Sequence, residues 1–188
     1  MGKLDILVVV DAQIDFCTGS LANEEAQKTV PRIVDMIETS TRDGDKVIAT
    51  MDTHEKDYLY TSEGRMLPVE HCIYGTEGHH LVPEIGTALL RAKAVTVYKK
   101  TFGSTSLPHI IQNIIAADGG FSADAEKMTR IMLIGWCTDI CVVSNALILK
   151  AAFPEADIIV ESSCCAGVTP EKHEAALETM RSCQIRVI

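Results

Sequence analysis

The stretch "RIMLIGWCTDICVVSNALILKAA", Arg130 to Ala152, decides the fold. Its first six residues, Arg130 to Gly135, form a short apolar run of the kind a strand buried on both faces presents. From Asp139 to Ala152 apolar residues recur at three- and four-residue spacing, which is the period of a helix. A tight "GWCTD" joins the two, so the stretch reads as strand, turn and helix. The same alternation runs along the rest of the chain. "LDILVVV" (Leu4 to Val10), "KVIATM" (Lys46 to Met51), "AVTVY" (Ala94 to Tyr98), "DIIVE" (Asp157 to Glu161) and "QIRVI" (Gln184 to Ile188) read as five further strands. Helical periodicity covers Ala22 to Arg42, Ser106 to Ala117 and Pro170 to Ser182.

Strands alternating with helices imply right-handed crossovers and a parallel sheet covered on both faces. The expectation is therefore α/β: a doubly wound, Rossmann-like, six-stranded parallel sheet in a single domain over residues 1–188. A chain of 188 residues suits one domain with a sizeable core. The segment from Glu55 to Pro83 breaks the rhythm. It is mixed, punctuated by glycine and too polar for a core, and is expected to pass over one sheet edge as an inserted loop or lid.

Composition narrows the partners. A net charge of -9, with no cluster of Lys and Arg, argues against nucleic acid and against an anionic membrane surface. No apolar run is long enough to span a bilayer. The opening "MGKLDILVVVDAQ" enters a strand at once, without the apolar region of a signal peptide, so the cytoplasm is the expected compartment. Seven cysteines without regular spacing fit a reducing compartment better than a disulfide framework. A small-molecule substrate is the expected partner.

In a doubly wound sheet, ligands sit beyond the carboxyl ends of the strands. Those ends carry Asp11, then Asp52 and His54, then Lys99 and Lys100, then the Cys137 to Cys141 turn. Cys141 is the expected nucleophile. With Thr138 or Asp139 as N-cap it would lie in the first turn of a helix, where free amides and the dipole favour a thiolate and could cradle an oxyanion. An acid and a lysine beside that thiol form a proton-handling set: the carboxylate takes the thiol proton and returns it to a leaving amine. Cys137 and Cys141 as a C-x-x-x-C redox pair is the competing reading. Asp52 and His54, with His71 from the insertion, offer one carboxylate and two imidazoles, a set suited to Zn, Mn or Fe. His79, His80, His109 and His173 lack a strand-end position and are expected to face solvent or cap.

Along essentially its whole length the sequence resembles the isochorismatase-like cysteine hydrolases, in particular the nicotinamidase-like subgroup. The matching pieces are "VVVDAQIDFCTGSL", "MDTH", "HCIYGTEG", "VYKKTFGS" and "GWCTDICV", in family order and spacing. The resemblance implies a catalytic triad of Asp11, Lys99 and Cys141, selecting Lys99 over Lys100 through the Lys99, Phe102, Gly103 pattern. It implies a non-proline cis peptide before Cys137 and an oxyanion hole from the amides of Cys137 and Cys141. It implies a divalent metal, zinc first and Mn or Fe next, on Asp52, His54 and His71, and assigns Phe16 to the substrate ring. It implies release of ammonia from a small amide such as nicotinamide, or pyrazinamide, through a Cys thioester. Another amide or carbamoyl substrate is the alternative. A homo-oligomer, dimer or tetramer, is expected on the same ground. One departure is visible: nicotinamidases usually read Trp-Pro-x-His-Cys, whereas this chain reads Leu67-Pro68-Val69-Glu70-His71-Cys72.

Overall fold

A computed structural model describes residues 4–118 and 122–188. Six strands, β1 (Leu4–Val10), β2 (Lys46–Asp52), β3 (Val95–Lys99), β4 (Thr129–Trp136), β5 (Asp157–Ala166) and β6 (Arg186–Val187), pair in parallel in the order β3-β2-β1-β4-β5-β6. The helices are α1 (Glu24–Asp43), α2 (Ser62–Met66), α3 (Pro83–Arg91), α4 (Leu107–Ala117), α5 (Ala123–Lys127), α6 (Val143–Ala152) and α7 (Pro170–Ser182).

Alternation along β1 explains the two layers. Ile6, Val8 and Val10 point to one face, where they meet Leu107, Ile111 and Ile115 of α4, Leu149 of α6 and Leu177 and Met180 of α7. Leu7 and Val9 point to the other, against Ile33 and Ile37 of α1 and Ile85, Ala88 and Leu89 of α3. Each fully buried aliphatic side chain contributes about 2 kcal/mol of burial. Helix α1 is fixed at both ends. Asn23 accepts from the amides of Glu25 and Ala26, and Gly44 closes the helix in the left-handed conformation at φ +83°.

The strand order reverses between β1 and β4, and their aligned ends, Val10 beside Gly135, open the crevice of a doubly wound sheet. Gly135 is required there. Its φ is +115°, and a β-carbon would run into the Val10 carbonyl.

The six strands and parallel, two-faced architecture match the sequence expectation, with local differences. Strand β5 runs on to Ala166, so "SSCCAG" is mostly strand, with Cys164 and Cys165 buried. Helix α3 has no counterpart in the sequence reading: nine residues interrupted by Gly86 show too little periodicity. No helix among the described residues is long and apolar enough to cross a membrane.

Candidate active site

The ends of β1, β2 and β3 deliver Asp11, Asp52 and Lys99 into one buried cluster, which the turn after β4 joins with Cys141. Asp11 follows β1 with a left-handed backbone, φ +46°, which turns the chain sharply away from the sheet. Its Oδ1 accepts a hydrogen bond of 2.7 Å from the Thr50 hydroxyl of the neighbouring strand. Asp52 and Lys99 end β2 and β3 and are register partners. Lys99 therefore reaches three groups at once: Asp11 Oδ2 at 2.7 Å, Asp52 Oδ1 at 3.2 Å and Cys141 Sγ at 3.6 Å. Its side chain is 1% exposed. The 2.7 Å Lys99–Asp11 contact is a buried ion pair. An ammonium buried to that degree persists only between carboxylates: burial pulls its pKa down, and the Asp11 and Asp52 charges more than offset this and raise it.

Cys141 lies in a single turn of π-helix, Thr138–Val142, ahead of α6. Two sequence expectations need correction at this turn. Cys137 occupies the N-cap position, while Thr138 Oγ1 pairs with His173 Nδ1 at 2.8 Å and Asp139 Oδ1 accepts from the Val168 amide at 2.9 Å. Nor is the thiol pKa lowered. Complete burial, then the charge of Asp11, push it well above its ordinary value, with Lys99 opposing. The Asp11 carboxyl is also raised, chiefly by burial, but from a far lower starting point. Burial thus favours the neutral thiol, with the Asp11 carboxyl beside it. The peptide between Trp136 and Cys137 is cis, and the Cys137 carbonyl accepts from the amides of Ile140 and Val142. Burial pushes the Cys137 thiol up to about 12, which disfavours a redox partnership that needs a thiolate.

The insertion returns to the end of β2. His54 and Ile73 form a parallel bridge, the His54 amide donates to the Cys72 carbonyl at 3.0 Å, and the returning chain sets His71 beside the end of β2. His54 Nε2 and His71 Nε2 stand 3.0 and 3.6 Å from Asp52 Oδ2. His71 Nδ1 donates to the Val69 carbonyl at 2.8 Å, which fixes the ring with Nε2 turned toward Asp52. Glu63 of α2 completes the group, with Oε1 3.6 Å from His54 Nε2 and 3.7 Å from His71 Nε2. One donor atom from each of the four residues lies within 4.8 Å of the others. Burial alone would raise the Asp52 carboxyl, but hydrogen bonds from both imidazoles and the Lys99 charge hold it far below the carboxylate range. A mixed nitrogen and oxygen set with carboxylates in excess over the one buried ammonium fits a divalent cation.

Glu63 was not singled out from sequence, since nothing in its spacing separates it from the other acids of the insertion. Tyr58 was also missed. It is fully buried, its ring lies 4.6 Å from that of His54 and 4.9 Å from that of His71, and its hydroxyl donates to the Leu67 carbonyl at 3.0 Å. His79, expected at the surface or as a cap, is instead buried against the Thr53 hydroxyl at 3.0 Å. Phe16 packs 5.6 Å from the His71 ring.

The thiol and the donor cluster open into one cleft of about 790 Å³, lined by Phe16, Leu67, His71, Phe102, Cys137 and Cys141 among others. That volume is ample for a small aromatic ligand.

A doubly wound sheet with a thiol, a carboxylate and an amine converging at its switch point defines an enzyme of the hydrolase class. The chain matches the isochorismatase domain over residues 5–188 and belongs to that family. It is 28% identical over 211 residues to the nicotinamidase of Schizosaccharomyces pombe, covering 97% of this chain and 91% of the relative. The crystal structure of the Pyrococcus horikoshii pyrazinamidase in complex with zinc is similar, with TM-score 0.76 and 26% identity over 98% of each chain. The N-carbamoylsarcosine amidase of Thermoplasma acidophilum is 28% identical, with TM-score 0.73, covering 98% of this chain and 95% of that one.

Proposed function

We propose that this protein is a cysteine amidohydrolase that converts nicotinamide to nicotinate and ammonia, with Cys141 as nucleophile. The observation that carries the reading is the Lys99 ammonium, buried between Asp11, Asp52 and the Cys141 sulfur at the mouth of β1. Asp11 takes the thiol proton, and sulfur attacks the amide carbon. The oxygen that gains charge is received by the amides of Cys137 and Cys141. The tetrahedral adduct collapses, the carbon–nitrogen bond breaks, and Asp11 returns the proton so that ammonia leaves and an S-acyl enzyme remains. Asp11 then removes a proton from water, which attacks the thioester, and the thiol is restored. Lys99 stays protonated and keeps two carboxylates ionised at close range.

Asp52, His54 and His71, with Glu63 as a fourth donor, would hold a divalent metal, zinc first in preference. Bound there, the metal supplies a Lewis acid that fixes the nitrogen of a pyridine or pyrazine ring. Phe16 supplies the aromatic wall, and the insertion 55–83 acts as the lid that brings His71 and Glu63 to the end of β2.

The test is ammonia release from a panel containing nicotinamide, pyrazinamide, aliphatic amides and N-carbamoyl amino acids. Nicotinamide is expected to give the highest kcat/KM, and chelation followed by zinc restoration to lower and recover it by about 10²-fold. Activity confined to N-carbamoyl acids would overturn the nicotinamidase reading. The similarity to the carbamoylsarcosine amidase and the Leu67 replacement of tryptophan make that the second reading. Cys137→Ser tests the redox reading separately. The hydrolase is expected to retain activity within about tenfold, because the residue acts through its amide; loss comparable to that of a Cys141 variant would favour the dithiol.

A further inference from the structure

Asp15 has no role in the chemistry above, yet it is 8% exposed, and among the described residues it forms no ion pair with a Lys, Arg or His. Its partners are backbone amides. Oδ2 accepts from Cys72 N at 2.7 Å and Oδ1 from Ser20 N at 3.0 Å. A buried carboxylate is costly unless its oxygens are satisfied, and here two amides from distant parts of the chain do so. The surroundings are shaped for it. β-carbons at Gly19 and Gly78 would each overlap Asp15, the first at Oδ1 and the backbone, the second at the whole carboxylate. The Asp15 amide donates to the Gly78 carbonyl at 3.1 Å, and its carbonyl accepts from Leu21 at 2.9 Å.

The two anchored segments are those that carry functional groups. Cys72 follows His71, whose Nε2 faces Asp52, and Asp15 precedes Phe16, whose ring packs on that of His71. The Gly19–Ala22 backbone held through Ser20 is a wall of the cleft. We infer that Asp15 is a positioning residue whose carboxylate sets the place of His71 in the metal group and of Phe16 in the cleft, coupling metal affinity to amide binding. The inference rests on the metal and substrate assignment of the proposed function. Asparagine would not serve, because one of its two ends is an NH2 facing an amide donor, so one of the two clamps must open.

The experiment is a zinc titration of metal-free protein against a competing chromophoric chelator, on wild type, Asp15→Asn and Gly78→Ala. Each sample is also melted with and without zinc. Asp15→Asn is expected to raise the zinc Kd by about 10- to 100-fold. The rise in Tm on adding zinc should shrink, and KM for nicotinamide should rise more than kcat falls. Gly78→Ala leaves every donor in place but displaces the carboxylate, and it is expected to act in the same direction. A merely structural Asp15 would lower the Tm of both forms equally and leave the zinc Kd unchanged. Wild-type zinc affinity in folded Asp15→Asn, or in Gly78→Ala should the former not fold, overturns the inference alone. Failure of the wild type to bind zinc overturns the metal assignment and the inference with it, whereas a zinc-binding wild type inactive on nicotinamide counts against the substrate only.

Discussion

Cys141→Ala is expected to reduce ammonia release by about 10⁴-fold or more, while zinc binding and the fold persist. In the proposed mechanism sulfur forms the bond to carbon, and without it only binding and oxyanion stabilisation remain, as in other enzymes stripped of their nucleophile. The side chain is almost fully buried, and its removal leaves a small void beside Lys99 rather than an unpaired charge. Lys99 keeps Asp11 and Asp52, so the variant should fold. Mass spectrometry of wild type quenched during turnover should find an acyl adduct on Cys141, and the alanine variant should show none. Undiminished hydrolysis by Cys141→Ala would exclude the thioester route.

Asp11→Asn should be nearly as damaging, at about 10³-fold in kcat/KM, or roughly 4 kcal/mol of transition-state stabilisation. The amide cannot take the thiol proton, and burial together with the Asp11 charge keeps that proton on sulfur in the resting enzyme. The pH profile carries the sign. In the proposed mechanism Asp11 works as the ionised base, and burial raises its pKa above the ordinary 3.8. Wild-type kcat/KM should therefore fall as pH drops through that raised value, and the residual rate of Asp11→Asn should lack this acidic limb. An Asp11→Asn enzyme with an unchanged acidic limb would place the base elsewhere.

Much of this was legible before any coordinates, and the reasons are physical. β1 and β4 are buried on both faces, and residues in that position must be apolar, so "LDILVVV" and "RIMLIG" announce themselves. The strand ends were legible because an acid or a lysine closing such a run is conspicuous, and the parallel topology assembles Asp11, Asp52, Lys99 and Cys141 at one edge. Glu63 and Tyr58 were not legible. They sit in the insertion, in elements three to five residues long, where no periodicity distinguishes an inward acid or aromatic from an exposed one. The thiol environment was misread for a related cause. Helix-start reasoning captures local amides and dipole, whereas Cys141 is governed by burial and by a carboxylate from a distant strand. His79 was assigned by its lack of a strand-end position, but its pocket is made by Thr53 and the returning loop.

The hydrogen bond from the buried Tyr58 hydroxyl to the Leu67 carbonyl has an evolutionary side. Tyr58 packs against both imidazoles, which also touch each other, and at the same time pins Leu67 in the wall of the cleft. A change of substrate size that began at Leu67 would thus also act on the imidazoles of the proposed metal group. Lineages exploring new amides from this scaffold would have to remodel the segment as a unit, which favours wholesale replacement of the insertion over stepwise change within it.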